Sequence, residues 1–195
     1  MDPAAQSQLQ LRADERLLWC GRPDPGVWFT PADAFLIPFS IFWCGFAIFW
    51  EAGVASSGAS RFVVWGIPFI AVGLYLVFGR FIYKHYRKKR TTYWITNERA
   101  AIIVSPGLVA DSPVLHQPVT VKRSRDARHA SVAIGNAPEA GRASGLYRNS
   151  SLFYANTGLG ALARSHGLPF AFYDVADADA MLSALDQARG SQAVA

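Results

Sequence analysis

The sequence predicts an α+β membrane protein: a two-helix transmembrane hairpin, then a small domain of short strands folded as a partly open β-barrel and capped by a C-terminal α-helix. Three observations carry this prediction. Two long stretches in the first half of the chain lack charge, and six cations without an acid follow the second of them. Residues 91–195 then alternate short β-branched or aromatic runs with turn-rich pieces and end in one amphipathic stretch. Composition agrees, since the 195 residues are 51% hydrophobic, 13% aromatic and 17% charged, below the roughly one-quarter charge of soluble domains. So much apolar surface excludes a disordered chain.

Residues 1–30 read as a cytosolic leader, with charge summing to −2 through Asp33. The hairpin occupies 31–83, with spans at about 34–50 and 62–79 and a short periplasmic loop at 51–61. The first span, AFLIPFSIFWCGFAIFW, extends about 26 Å as a helix, close to the ~30 Å hydrocarbon core. Thr30 as N-cap, Pro31 at the first helical position and Asp33 mark its start. The second, FVVWGIPFIAVGLYLVFG, is equally uncharged. Pro38 and Pro68 lie within the spans, where membrane helices tolerate them. Both segments are apolar all round, which fits lipid better than the core of a soluble protein.

The connecting EAGVASSGASR holds one cation, whereas the basic juxtamembrane segment 84–90, together with Arg80, carries six. The positive-inside rule then sets residue 80 onward in the cytoplasm, and two spans return the N-terminus to the same side. The apolar stretch starts too far in, without a basic region before it, for a cleaved signal peptide. Neither span holds an ionisable side chain, which argues against a pump or transporter. Ser40, Cys44, Gly45, Gly66 and Gly73 suit close packing within the hairpin. Cys20 and Cys44 fall in compartments that exclude a disulfide between them.

In the following domain, TTYWIT and RAAIIVS flank Asn97-Glu98 as a β-hairpin. Further strands are expected at Val114–Val121 (extending toward Arg125), Ala130–Ile134, Ser151–Ala155 and Pro169–Val175. SPGLVADSP and GNAPEAGRASG read as turn-rich connections. Asp177 or Asp174 caps a final helix through DADAMLSALDQAR that ends before Gly190. Val175, Met181, Leu182, Leu185 and Ala188 form its apolar stripe. Tyr93, Trp94, Phe153, Tyr154, Phe170, Phe172 and Tyr173 are core candidates.

Two short motifs in this order suggest a family. Glu15-Arg16-Leu17-Leu18-Trp19-Cys20-Gly21-Arg22-Pro23 resembles an opening of the form E-x-hydrophobic-x-W-x-G-x-P, and Tyr93-Trp94-Ile95-Thr96-Asn97-Glu98-Arg99 resembles Y-x-hydrophobic-T-N-x-R. Over residues 13–190 the chain resembles the bacterial PH-domain membrane proteins, in which a short leader and two transmembrane helices precede a pleckstrin-homology-like domain. The resemblance implies that residues 91–190 form a PH-like domain, with 191–195 as a tail, and that the chain sits in the bacterial inner membrane with both termini cytoplasmic. It implies no enzyme activity and no cofactor. The loop at 135–150 is longer than the family's compact form.

The motif positions Glu15, Trp19, Gly21, Pro23, Tyr93, Thr96, Asn97 and Arg99 are one set of candidate functional residues. The leader segment ERLLW is expected to dock on the domain or lie at headgroup level. A second set, Arg80, Lys84, Arg87, Lys88, Lys89 and Arg90, forms a membrane-surface basic patch, each charge contributing about 1 kcal/mol toward anionic lipid. It reads first as a topology signal. A third set, Lys122, Arg123, Arg125 and Arg128, is a candidate contact for an anionic lipid headgroup or protein partner. Asp126 interrupts it, and a charged, solvated strand edge is the favoured reading. Nucleic acid is excluded as a partner, because residues 91–195 sum to only +1. His85, His116, His129 and His166 lack metal-ligand spacing, and no catalytic constellation appears. The expected function is a non-enzymatic membrane protein with a cytosolic binding or scaffolding domain held at the lipid surface. The alternative is an accessory subunit of a membrane complex acting mainly through its hairpin.

Overall fold

A computed structural model describes residues 11–12, 14–58, 60–105, 108–113, 118–124, 128–134, 156–159 and 170–192. The described residues within 11–27, 85–134 and 170–192 form one compact unit, and 28–84 with 156–159 form another.

The helical unit is built on helix α1 (Asp33–Ser56) and helix α2 (Ser60–Leu74). Helix α2 continues through a π-helical turn at Tyr75–Gly79 into α3 (Arg80–Lys89). Two stretches, Asp33–Ser56 and Val64–Lys89, are long and apolar enough to cross a membrane. The expected loop at 51–61 is shorter than anticipated. EAGVAS adds more than a turn to α1, the Gly53 carbonyl accepts the Ser57 N–H, and Gly58 turns the chain at φ 75°. The juxtamembrane segment is likewise helical and continuous with the second span. At the start of α1, the Asp33 carboxylate accepts from the Thr30 N–H and hydroxyl. The regular helix begins at Asp33, later than Pro31.

The π-turn has a local cause. A Cβ on Gly79 would meet the Tyr75 ring at 2.6 Å. The Arg80 N–H reaches back to the Tyr75 carbonyl, and Arg80 Nε donates to the Leu76 carbonyl at 2.8 Å. A side chain thus supplies a bond that the widened turn withdraws.

The other unit holds two antiparallel sheets. The first is ordered β1 (Leu17–Gly21), β2 (Thr91–Thr96), β3 (Arg99–Val104), β4 (Leu108–Pro113). The second is ordered β5 (Val119–Arg123), β6 (Ala130–Ile134), β7 (Phe170–Val175). Helix α4 (Ala178–Gln192) follows. Met181, Ala184, Leu185 and Ala188 of α4 are buried with Tyr93, Ile95, Ala100, Val132, Ile134, Phe172 and Val175. Trp94, Ala101 and Ile103 form a second cluster, as alternation along β2 and β3 requires.

Of the expected partly open barrel, the described residues show two antiparallel sheets without closure, with an isolated Pro23–Val175 bridge between strand neighbourhoods. Two expectations need correction. Leu108–Pro113, read as part of a connection because of its Asp, Ser and Pro, pairs along its length with β3. Pro113 falls at the strand's last residue, where its missing N–H disturbs the ladder least. Helix α4 runs through Gly190 to Gln192. Its cap is as expected, since the Asp177 side chain accepts the Ala180 N–H at 3.4 Å. The strand expected at Ser151–Ala155 and the loop at 135–150 lie outside the described residues.

Candidate functional site

The two sequence motifs, about eighty residues apart, meet in the sheet unit. Strand β1 pairs with β2 through Cys20–Trp94 and Gly21–Tyr93, with a bulge between Leu17 and Trp19. Just before β1, the buried Glu15 carboxylate accepts from Arg99 Nε at 2.9 Å, Arg99 Nη2 at 3.2 Å, Thr96 Oγ1 at 2.8 Å and the Arg12 N–H at 3.1 Å. Burial alone would raise the Glu15 carboxyl, but these donors outweigh it and hold it below its ordinary 4.5. Asn97 completes the clasp. Its Oδ1 accepts the Arg16 N–H at 2.6 Å, its Nδ2 donates to the Asp14 carbonyl at 3.1 Å, and its own N–H donates to the Arg16 carbonyl.

The remaining motif positions serve the same junction. A Cβ on Gly21 would overlap the Trp19 indole, so glycine lets that ring lie flat on the strand. Trp19 and Phe172 stack at 6.3 Å, and Tyr93 stacks on Phe172 at 4.5 Å. Tyr93 Oη accepts the Tyr173 N–H at 3.1 Å, and burial pushes the Tyr93 hydroxyl far above its ordinary value. Pro23 bridges to Val175. Docking of the leader is therefore realised as strand pairing, and Glu15, Thr96, Asn97 and Arg99 bond to one another or to the neighbouring leader backbone.

The basic patch divides. Arg80, Lys84 and Lys88, at i, i+4 and i+8 of α3, are buried, whereas Arg87, Lys89 and Arg90 are exposed. In the helical unit, Arg80 pairs with Asp33, the guanidinium lies 4.1 Å over the Phe81 ring, and Lys84 donates to the Trp28 carbonyl at 2.9 Å. A turn at Thr157-Gly158 lies against Arg80: Nη1 reaches the Thr157 carbonyl at 3.4 Å, and Tyr75 Oη donates to the Gly158 carbonyl at 2.6 Å. Gly158, at φ 84°, is required there because a Cβ would collide with the Arg80 carbonyl. In the sheet unit, Lys88 donates to the Asp24 and Val27 carbonyls at 3.0 and 2.8 Å and pairs with Asp174 at 2.6 Å. Asp24 in turn meets His129 Nε2 at 2.8 Å. The Gly26 N–H, then His129, hold the Asp24 carboxyl below its ordinary 3.8. The signal for this division was the four-residue spacing of the three cations, together with the acids at 24 and 33.

Of the third set, Lys122 and Arg123 are exposed on β5, an edge strand. Arg123 pairs with Asp179 at 2.6 Å, both exposed. Arg128 is also exposed, and Arg125 lies outside the described residues. Among the described residues no three His, Cys, Asp or Glu side chains gather as metal ligands. Comparison of the chain with protein-family models, curated proteins and solved structures gives no match.

Proposed function

We propose that the chain is a non-enzymatic integral membrane protein whose sheet unit is a PH-like binding or scaffolding module held at the cytoplasmic surface of a bacterial inner membrane. The observation that carries this reading is the order along the chain of apolar stretch, cations and strands. The second apolar stretch runs without interruption into α3, and Arg90 alone separates α3 from β2. Along the chain the exposed cations Arg87, Lys89 and Arg90 thus come directly between the apolar stretch and the first strand of the domain, where anionic headgroups would meet them. A four-stranded and a three-stranded antiparallel sheet closed by a C-terminal helix also support the PH-like reading. Glu15, Thr96 and Arg99 of the two motifs bond to one another, which is the chemistry of a scaffold. The exposed β5 edge, with Thr120, Val121 and Lys122, is the surface a partner strand or peptide would use.

A photo-crosslinking residue at Thr120 or Val121 of the full chain, in cells, tests this reading. Discrete adducts are expected, and they should persist when residues 35–74 are replaced by an unrelated two-span hairpin. Adducts that vanish with the native hairpin would favour an accessory subunit acting through its helices.

A further inference from the structure

The helical unit contains a cavity of about 530 Å³, lined chiefly by Trp43, Phe46, Trp50, Glu51, Trp65 and Phe69. That volume lies within the roughly 300–1,000 Å³ of small-molecule sites. Its wall is mostly aromatic, completed by Ala47, Val54, Ser57 and Gly66, and Glu51 is its one charged group. Glu51 is the last acid before the connection between α1 and α2, yet its carboxylate turns back into the hairpin. It occupies the space that a Cβ on Gly66 would need, so the glycine opposite is what admits it. Glu51 Oε1 is buried without a hydrogen-bond partner among the described residues, and so is Trp43 Nε1.

A buried, unpartnered oxygen on a half-buried carboxylate is an unfavourable arrangement unless a donor or a cation meets it, and a cation meets it best. Around it stand aromatic rings, whose negative faces attract the same charge. A neutral apolar occupant would leave Glu51 uncompensated, and an anion would be repelled by both carboxylate and rings. We infer that this cavity is a binding site for a lipophilic organic cation, with its charge beside Glu51 and its apolar groups among the Trp and Phe side chains. The site is independent of the function proposed for the sheet unit, and either can fail without the other.

The test uses the full chain in zwitterionic nanodiscs, with tetraphenylphosphonium as the probe and equilibrium dialysis against empty nanodiscs as the reference. Saturable binding of one cation per chain is expected, with no saturable binding of the neutral triphenylphosphine oxide. Glu51→Gln should weaken the cation tenfold or more. Trp65→Leu, which removes an exposed ring and leaves the helix contacts in place, should weaken it severalfold. Equal binding of cation and neutral probe, unchanged affinity in E51Q, or no binding beyond empty nanodiscs would each overturn the inference. The last is the result if a side chain of the hairpin itself neutralises Glu51. The comparison of the two probes in the unmutated chain does not depend on how the variants fold.

Discussion

The two units use the same aromatic residues in opposite ways. In the sheet unit, Phe172 and Trp94 are 0% and 1% exposed, whereas in the helical unit Phe42, Phe49 and Trp65 are 71%, 77% and 74% exposed. These rings sit on helices long and apolar enough to cross a membrane, and an apolar medium would accept them where water would not. The sheet unit instead buries its aromatics, Phe172 with residues of α4 and Trp94 with Ala101 and Ile103. The difference shows that composition alone is ambiguous: the partner of each Phe or Trp is set by whether its segment can present a polar face.

The units differ equally in their buried ion pairs. Glu15 has donors on both oxygens from Arg99, Thr96 and the Arg12 N–H, while Arg80 holds Asp33 but leaves Nη2 without a partner among the described residues. Removing one member of a well-satisfied buried pair leaves an uncompensated group. Glu15→Ala should therefore cost the sheet unit about 3 kcal/mol. Arg80→Met should cost the helical unit less, about 2 kcal/mol, because Asp33 keeps the Thr30 N–H and hydroxyl. Denaturant unfolding of the full chain in nanodiscs, followed by hydrogen exchange of the β2 amides for the first and of α1 for the second, measures both. Equal losses would remove the distinction between the pairs.

A smaller effect is expected at Gly21. Alanine there displaces the Trp19 indole from the strand, at about 1–3 kcal/mol, and its emission should shift to the red. Unchanged emission would mean that the ring does not need the glycine. The mildest effect is acid sensitivity. Because the folded chain holds Glu15 below its ordinary 4.5, its contribution is complete above that pH and is lost as the pH falls through the lower, folded-state value. Midpoints of unfolding against pH should therefore drop below about pH 4.5, and Glu15→Gln should flatten that drop.

Much of this was legible in the sequence where pattern and structure share a cause. Asn97-Glu98 between two β-branched runs marks a hairpin because the turn and the alternation are local. The stripe of Met181, Leu185 and Ala188 marks a helix for the same reason. The uncharged runs marked the spans, although helix-forming residues around Glu51 carried the first span further than its apolar run. Strands β1 and β4 were not legible, because LLWCG and LVADSP become strands only through pairing with β2 and β3, a tertiary effect that overrides weak local preference. The partly open barrel is met as far as two antiparallel sheets, and the finer arrangement was not legible because it depends on pairings between distant strands. In the basic patch, net charge located the segment but could not separate Arg80, Lys84 and Lys88 from Arg87, Lys89 and Arg90. Their partners at Asp24, Val27, Trp28 and Asp33 lie 47 to 64 residues earlier.

Cys20 offers the most direct test of the membrane account, because the chain has only two cysteines and Cys20 is exposed while Cys44 is buried. Burial of its sulfur, opposed by Arg22, raises the Cys20 thiol above its ordinary 9.0, so labelling with a membrane-impermeant maleimide is best run at mildly alkaline pH. In bacterial cells expressing the full chain, inverted inner-membrane vesicles should label at Cys20 and intact spheroplasts should not. Labelling of intact spheroplasts, or recovery of the labelled chain in a carbonate-washed soluble fraction, would contradict the account.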